Sequence, residues 1–175
     1  PLVRYATGGY ICASPFPYDG IFRRAVLNFK FHNCGAYAEL FSHEMVRSIK
    51  DVYRDRKFDL VTCVPMHNDT LRERGYNHAE LLAKECARIL GIEYADLLAK
   101  TKKNKTQHSI KAAERAKNVI GAYSPIDKNL IKGKRILIID DIITTGSTLG
   151  ECARILNKCK CGEICCCTLC TSLLI

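Results

Sequence analysis

The sequence has 175 residues, of which 47% are hydrophobic, and this composition excludes a disordered chain. Its 27 basic and 18 acidic residues give a net charge of +9, which favours a polyanionic ligand or partner. No apolar stretch reaches the roughly 20 residues that span a bilayer, and the amino end has no secretory signal, so we predict a cytoplasmic protein without membrane insertion.

The amino-terminal segment, residues 1–57, is predicted to be an accessory hood rather than an independent domain. Two adjacent glycines, several aromatic residues and the segment SPFPYDG precede two predicted helices, over residues 21–29 and 36–51. We expect this hood to pack on a core domain formed by residues 58–175, so that the chain is one compact unit.

The predicted core begins with a strand and a helix. The apolar run FDLVTCV, residues 58–64, is followed by Pro65 and predicts a buried strand. The polar segment MHNDTLRERGYN is predicted to be a loop. Apolar residues then recur at helical spacing from Ala79 to Leu90, and Gly91 follows them, so we predict an amphipathic helix that ends there.

The second half of the core repeats this alternation. Residues 93–98 and 119–123 are predicted strands on either side of a basic loop, and KRILIID, residues 134–140, is the clearest strand in the chain. The segment TGSTLGECARILNK predicts a turn and a helix, and the cysteine-rich segment after it predicts a final strand. Strands that alternate with helices predict an α/β fold with a mostly parallel central sheet flanked by helices.

Cysteine is unusually frequent, and its spacing is not that of a disulfide framework. The chain has eleven cysteines, an odd number, and five of them lie within residues 159–167. In a cytosolic chain we expect most of them to be thiols that serve as small hydrophobic side chains in a buried strand. Cys167 and Cys170 form one isolated CxxC pair, so a zinc or redox role is the alternative.

Most of the excess positive charge lies in one segment. Residues 100–117 contain seven basic residues and a single acidic one, Glu114. The segment has no sustained apolar period and no aromatic residue on which a base could stack, so it predicts a mobile basic loop rather than a platform for single strands. The alternative is a solvated run of charge with no specific role.

The segment ILIIDDIITTGST, residues 136–148, combines an acid pair with an anion-binding turn. A buried strand delivers Asp140 and Asp141 to its carboxyl end, where parallel sheets bind ligands. The turn TTGST can direct backbone N–H groups at an anion where the next helix starts. A phosphorylated ribose presents hydroxyls for the acids and a phosphate for the turn. The absence of GxxxxGK[ST] and GxGxxG disfavours an ATPase or a dinucleotide-binding protein.

This segment resembles the phosphoribosyl pyrophosphate (PRPP) motif of the type I phosphoribosyltransferases. The segments YDGIFRRAVLNFKFHN, FDLVTCVPMHNDTLRERGYNHAELLA and TQHSIKAAERAKNVIGAY together resemble the ComF family of competence-associated phosphoribosyltransferase-like proteins. The resemblance therefore implies the type I phosphoribosyltransferase fold. That family commonly begins with a cysteine-rich zinc ribbon, which this sequence lacks; either the ribbon precedes Pro1 or this member has none.

The resemblance also implies a role for each matching residue. Asp140 and Asp141 would contact the 2′ and 3′ hydroxyls of the PRPP ribose, partly through Mg²⁺ and its waters, and Thr144 would lie beside the acceptor. The residues implied for the 5′-phosphate are Thr145, Gly146, Ser147 and Thr148. Those implied for the pyrophosphate and the loop that closes over it are Pro65, Met66, His67, Arg72, Arg74, Lys103, Lys105, Gln107 and Arg115. For Arg72 and Arg74, a solvated position near a helix start is the alternative.

The implied reaction transfers the phosphoribosyl group to an unidentified acceptor and releases pyrophosphate. In 6-oxopurine transferases the position of Thr144 usually carries an acid, so salvage of hypoxanthine or guanine is disfavoured. The alternative function is a non-catalytic role in competence and DNA uptake, through binding of single-stranded DNA or partner proteins. PRPP is thus the expected small-molecule partner, and DNA, competence proteins and a second copy of the chain are the candidate macromolecular partners.

Overall fold

The structure is a computed structural model that describes residues 1–31, 36–102 and 119–172. None of the helices in these ranges is long and apolar enough to cross a membrane. In chain order the elements are β1 (Leu2–Ala6), β2 (Tyr10–Ser14), β3 (Phe16–Pro17), α1 (Gly20–Phe31), α2 (Ala36–Tyr53), β4 (Leu60–Cys63), α3 (Asn68–Arg74), α4 (His78–Leu90), β5 (Glu93–Tyr94), β6 (Leu98–Lys100), β7 (Tyr123–Pro125), α5 (Lys128–Ile131), β8 (Arg135–Ile143), α6 (Ser147–Lys158) and β9 (Glu163–Thr171).

A mostly parallel sheet forms the centre of the molecule. Across the described ranges it has seven strands, in the order β1-β2-β9-β8-β4-β5, with β3 also paired to β9. The pairing of β1 with β2 is antiparallel, and every other pairing in this sheet is parallel. Strands β6 and β7 form a separate antiparallel pair. The predicted α/β fold, with a mostly parallel central sheet flanked by helices, is confirmed.

Both faces of the central sheet are covered, which explains the unbroken apolar run of β8. Ile136 and Ile138 pack in a core that includes Leu149 of α6. Leu137 and Ile139 point to the opposite face and pack in the core formed with α2 and α4. A strand that is buried on both faces has no solvent side, so its sequence shows no alternation of apolar and polar residues.

The cysteine-rich segment forms β9, as predicted, and its side chains belong to the core. Cys165, Cys166, Cys167 and Cys170 are fully buried and carry free thiols. Burial raises the pKa of the Cys166 and Cys167 thiols well above its ordinary value, so these groups are poor nucleophiles. The phenol of Tyr53 on α2 donates a 2.6 Å hydrogen bond to the Cys166 carbonyl and fixes the helix against the strand.

Three local predictions differ from the structure. The polar segment after β4 contains helix α3, because the His67 side chain caps its start and Gly75 ends it in a left-handed conformation. The strand predicted over residues 93–98 is split into β5, in the central sheet, and β6, in the small one. The strand predicted over residues 119–123 starts later, as Tyr123–Pro125, because Val119 and Ala122 close a turn through a backbone hydrogen bond.

The start of β8 is tied to the strand beside it by an ion pair. Asp59, directly before β4, accepts hydrogen bonds from the Arg135 guanidinium at 2.6 and 3.0 Å and from the Arg135 backbone N–H at 2.8 Å. These hydrogen bonds hold the pKa of Asp59 well below its ordinary range. A carboxylate whose pKa is lowered by folding stabilises the folded state at pH values above the ordinary pKa of the group. This stabilisation is lost as the pH falls below that value.

We therefore predict that Asp59→Asn lowers the urea midpoint at pH 7. The difference from the wild type should shrink as the pH falls below about 4, where the wild-type carboxyl begins to be protonated in the unfolded state. Urea unfolding at pH 7, 4 and 3 measures this. The control is Asp55→Asn, which removes the same charge from an exposed position; an equal and pH-independent loss in both variants would contradict the prediction.

Candidate active site

The acid pair lies where β8 continues beyond its neighbour β4. The last paired residues of these strands are Cys63 and Ile139, and Asp140 and Asp141 follow directly. Since successive side chains of a strand point to opposite faces, Asp140 shares the face of Ile138, and Asp141 that of Ile139. The two carboxylates therefore flank the strand end from different sides of the sheet.

Both acids line one open cavity above the end of β4, with a volume of about 290 Å³. Its wall combines the loop after β4, the starts of α3, α4 and α6, and the two carboxylates. The lining residues are Val64, Pro65, Met66, His67, Thr70, Arg74, Asn77, Ala79, Lys100, Tyr123, Asp140, Asp141 and Thr148.

Asp140 lies in an environment that disfavours its charge. Burial raises the pKa of its carboxyl, and the neighbouring Asp141 carboxylate raises it further. The Asp141 backbone N–H, which donates a 2.8 Å hydrogen bond to Asp140 Oδ1, and the cations of Lys30 and Lys100 act in the opposite direction. Lys100, at the end of β6, is half-buried, and burial lowers the pKa of its ammonium while Asp140 favours the charged form.

Asp141 is held by a lysine from the amino-terminal segment. The Nζ atom of Lys30, near the end of α1, lies 2.6 Å from Asp141 Oδ2, and the two side chains are 18% and 20% exposed. An ion pair at this degree of burial is less screened by solvent than a surface pair. Helix α1 therefore supplies a charged group to the acid pair from 111 residues earlier in the chain.

The turn after β8 ends in a helix start that suits an anion. Gly146 precedes α6 with a φ of 73°, and it has no side chain to cap the N–H groups of the first helical turn. The Thr145 and Ser147 hydroxyls lie 2.9 Å apart and hydrogen-bond to each other. Together with Thr148, on the cavity wall, these residues form the candidate phosphate site, which we call the phosphate turn (residues 144–148).

The hairpin of β1 and β2 packs directly against the phosphate turn. The Thr7 N–H donates a 3.2 Å hydrogen bond to the Gly146 carbonyl. Arg4 on β1 donates to the carbonyl oxygen of Thr144 at 3.3 Å and also to that of Ser172. The amino-terminal segment thus contributes strands to the central sheet and supports the turn from behind.

Three consecutive residues join the start of α4 to the rest of the site. Asn77 caps α4 through its side-chain oxygen, and its amide donates a 3.1 Å hydrogen bond to the carbonyl of Val64, at the loop after β4. Tyr76 donates from its phenol to the Phe29 carbonyl at 3.1 Å. His78 contacts the Lys30 carbonyl through Nε2 at 2.9 Å, and burial lowers the pKa of its imidazole.

We predict that Asn77→Ala lowers the free energy of unfolding by about 2 kcal/mol, because it removes both a helix cap and a buried hydrogen bond. Urea unfolding measures this. The control is Asp127→Ala, which removes the cap of the exposed helix α5 and no second hydrogen bond. If the two variants lose the same stability, the contact of Asn77 with the loop after β4 does not contribute.

The structure brings most of the predicted residues to one place. Asp140, Asp141, Thr148 and the loop residues Pro65, Met66 and His67 line the cavity, as does Arg74. Thr144, Thr145, Gly146 and Ser147 form the adjoining turn. Arg72 is exposed on α3 and does not line this cavity. Lys103, Lys105, Gln107 and Arg115 lie outside the described residues, so their predicted role stays a prediction.

Sequence reasoning missed several residues of this site. Asn77 could have been found, because an asparagine directly before an amphipathic helix is a typical cap. The sequence indicates only that Lys100 belongs to the basic segment, whereas the structure places it at the end of a strand and on the cavity wall. Nothing in the sequence around Lys30 indicates that it reaches the site, since a lysine on an amphipathic helix is usually solvated.

Comparisons with known proteins agree with this geometry. The phosphoribosyl transferase domain family matches residues 77–173. Competence protein F of Haemophilus influenzae is 31% identical over 144 residues, 79% of this chain and 63% of that protein. Competence protein ComFC of Bacillus subtilis is 30% identical over 152 residues, 86% of this chain and 60% of that protein. These relatives confirm the predicted resemblance to the ComF family.

Two further comparisons concern the share of each relative that this chain covers and the fold. DNA utilization protein YhgH of Escherichia coli is 30% identical over 101 residues, 57% of this chain and 44% of that protein. The chain thus spans less than two thirds of the length of each of these three relatives. Glutamine PRPP amidotransferase from B. subtilis, solved with ADP and GMP, superposes with a TM-score of 0.51 and 19% identity over 75% of this chain and 26% of that one, which supports the fold alone.

Proposed function

The chain belongs to the phosphoribosyl transferase domain family, and on that premise we propose that it binds PRPP with Mg²⁺ and transfers the phosphoribosyl group to an acceptor, with release of pyrophosphate. The observation that carries the proposal is one cavity whose wall includes both carboxylates of the acid pair and the start of the helix after the phosphate turn.

Each part of the cavity matches one part of PRPP. The phosphate turn would offer the N–H groups at the start of α6 and the hydroxyls of Thr145, Ser147 and Thr148 to the 5′-phosphate. The carboxylates of Asp140 and Asp141 would accept hydrogen bonds from the two ribose hydroxyls. The loop over residues 65–67 borders the same cavity and would approach the pyrophosphate.

The cavity residues also fit Mg²⁺ as a partner of bound PRPP. Mg²⁺ takes oxygen ligands, keeps several waters and is commonly held by one or two carboxylates together with substrate phosphates. Asp140 and Asp141 supply two carboxylates on the wall of the cavity. These two residues would therefore hold the ion through water or ribose hydroxyls. When bound, Mg²⁺ would neutralise charge on the pyrophosphate.

The chain's own residues account for orientation and charge during transfer. Cleavage at the anomeric carbon gives the ribose oxocarbenium character and leaves negative charge on the departing pyrophosphate. Two carboxylates that hold the hydroxyls fix the sugar ring and place negative charge near the developing cation. Lys100 and Arg74, on the same cavity wall, would stabilise the departing group. Thr144 is not an acid, and the position that it occupies usually carries an acid in 6-oxopurine transferases. This difference disfavours a 6-oxopurine as the acceptor.

Calorimetric titration with PRPP and Mg²⁺ tests the proposal, and we expect saturable binding with one site per chain. Release of pyrophosphate from PRPP, measured in the presence of a panel of bases and amines, then identifies the acceptor. Absence of PRPP binding would refute the proposal. Binding without release for any acceptor would leave a PRPP-binding protein and refute the transfer step.

The alternative, a non-catalytic role in DNA uptake, rests on the names of the relatives, which refer to competence and DNA utilization, and on the basic segment. Its residues 103–118 lie outside the described part of the chain. Salt-sensitive binding of single-stranded DNA that survives loss of the acid pair would favour this alternative, because PRPP and DNA would then use different groups.

A further inference from the structure

Two lysines from different elements lie at the acid pair. Lys30 approaches Asp141 from helix α1 on one side of the sheet, with 2.6 Å between Nζ and Oδ2. Lys100 approaches from strand β6 on the other side and lines the same cavity as Asp140. The positive charges of both lysines favour the ionised form of Asp140, in opposition to burial and the Asp141 charge, which raise its pKa. The site thus combines two acidic and two basic side chains.

The position of Lys30 is fixed by contacts other than its ion pair. Its backbone carbonyl contacts His78 Nε2 at 2.9 Å, and the carbonyl of Phe29 accepts a 3.1 Å hydrogen bond from the Tyr76 phenol. The ring of Phe29 is fully buried and packs edge-on against His78. The end of α1 is therefore attached to the start of α4, and the Lys30 side chain extends from a fixed backbone toward the cavity.

This arrangement changes what the acid pair offers to a cation. Two adjacent carboxylates without a nearby positive charge would attract a divalent ion. Here Asp141 Oδ2 is already paired with the ammonium group of Lys30. A divalent cation bound to the acid pair would lie within a few ångströms of this positive charge, and the two like charges would repel each other. A ligand that brings further negative charge, as a pyrophosphate does, would reverse this balance.

We propose that Lys30 is a positioning residue that acts as the counterion of Asp141 in the ligand-free protein, prevents a divalent cation from binding to the acid pair alone, and releases this carboxylate when the cation arrives with PRPP. The last step rests on the proposed function. The first two concern the free protein and can be tested without PRPP.

The test is a titration of the full chain with Mn²⁺ in place of Mg²⁺, with free Mn²⁺ measured by electron paramagnetic resonance. Without PRPP, the wild type should bind Mn²⁺ weakly. Lys30→Met keeps most of the side-chain length and removes the charge, so we expect affinity to rise by about tenfold or more. Lys30→Arg keeps the charge and should behave as the wild type does.

The matched control is Lys84→Met. Lys84 also pairs with a carboxylate, Glu80, at 2.6 Å, but these side chains are 55% and 30% exposed on α4 and lie outside the cavity. This variant changes the net charge equally and should leave Mn²⁺ affinity unchanged. The double variant Lys30→Met with Asp141→Asn should lose the gain, because the carboxylate that Lys30 releases is then absent.

Two outcomes would overturn the inference. One is a Lys30→Met variant that melts as the wild type does and binds Mn²⁺ no more tightly. The other is equal gains in Lys30→Met and Lys84→Met, which would indicate net charge alone. If Lys30→Met does not fold, Lys30→Gln takes its place with the same expectation. Should the wild type fail to bind PRPP, the proposed function would fail while the Mn²⁺ result still decides the role of Lys30.

Discussion

Replacement of both acids, as Asp140→Asn with Asp141→Asn, is expected to weaken PRPP binding by roughly 100-fold or more, because two charge-assisted hydrogen bonds to the ribose hydroxyls are lost together. Asparagine keeps the volume of each side chain, so the cavity wall retains its shape. Calorimetric titration with PRPP and Mg²⁺ measures the loss against the wild type.

The double variant should remain folded, which separates loss of binding from loss of structure. Burial and the Asp141 charge raise the pKa of Asp140, so a neutral amide at that position removes an unfavourable charge. Lys30 loses its partner but is partly exposed and can be hydrated. The control Glu80→Gln with Glu85→Gln removes two partly exposed carboxylates of α4 that lie outside the cavity, and it should bind PRPP as the wild type does. Normal PRPP binding by the Asp140 and Asp141 variant would contradict the assigned role.

The elements predicted correctly are those whose signal is local. Strand β8 was recognised because both of its faces are buried, so its sequence is an unbroken apolar run. Helix α4 was recognised because its apolar period is followed by Gly91, which ends it in a left-handed conformation. In both cases the residues that determine the structure lie within the segment itself.

The elements that were missed depend on distant partners. Strand β3 has two residues and is defined only by its pairing with β9, in which Phe16 lies opposite Cys170 and Pro17 opposite Thr171. Of strand β6 only Leu98 falls within the strand predicted over residues 93–98, and the partner of β6 is β7, beyond the basic segment. Such short strands carry too few residues to establish a period of their own.

The candidate site divides in the same way. The acid pair and the phosphate turn are contiguous and were predicted, whereas the lysines that balance the acids come from α1 and β6. The alternation of a strand explains why they come from different elements: Asp140 and Asp141 face opposite sides of the sheet, so a single helix could not supply both lysines. The acids follow from the motif, but their electrostatic environment follows from the topology.

Gly146→Ala is expected to lower the free energy of unfolding by about 3 kcal/mol, since an alanine at a φ of 73° is strained and its Cβ would meet backbone that cannot move freely. That Cβ would lie 2.7 Å from the Ala6 Cα, and 3.2 Å from both the Thr7 nitrogen and the Tyr5 carbonyl oxygen. Urea unfolding measures the loss. Calorimetry should also show weaker PRPP binding, because relief of the contact displaces the phosphate turn from its hairpin support.

The control for this variant is Gly91→Ala, which separates the backbone strain from the steric contact. Gly91 has a φ of 68° at the end of α4, and a Cβ added there would meet no atom within 4 Å. It should therefore lose about 1 kcal/mol, from the left-handed conformation alone. The difference in the free energy of unfolding between the two variants then measures the cost of the steric contact between β1 and the phosphate turn. Equal losses would mean that the turn can move away from the hairpin at no cost, and the amino-terminal segment would then not be what holds the turn in place.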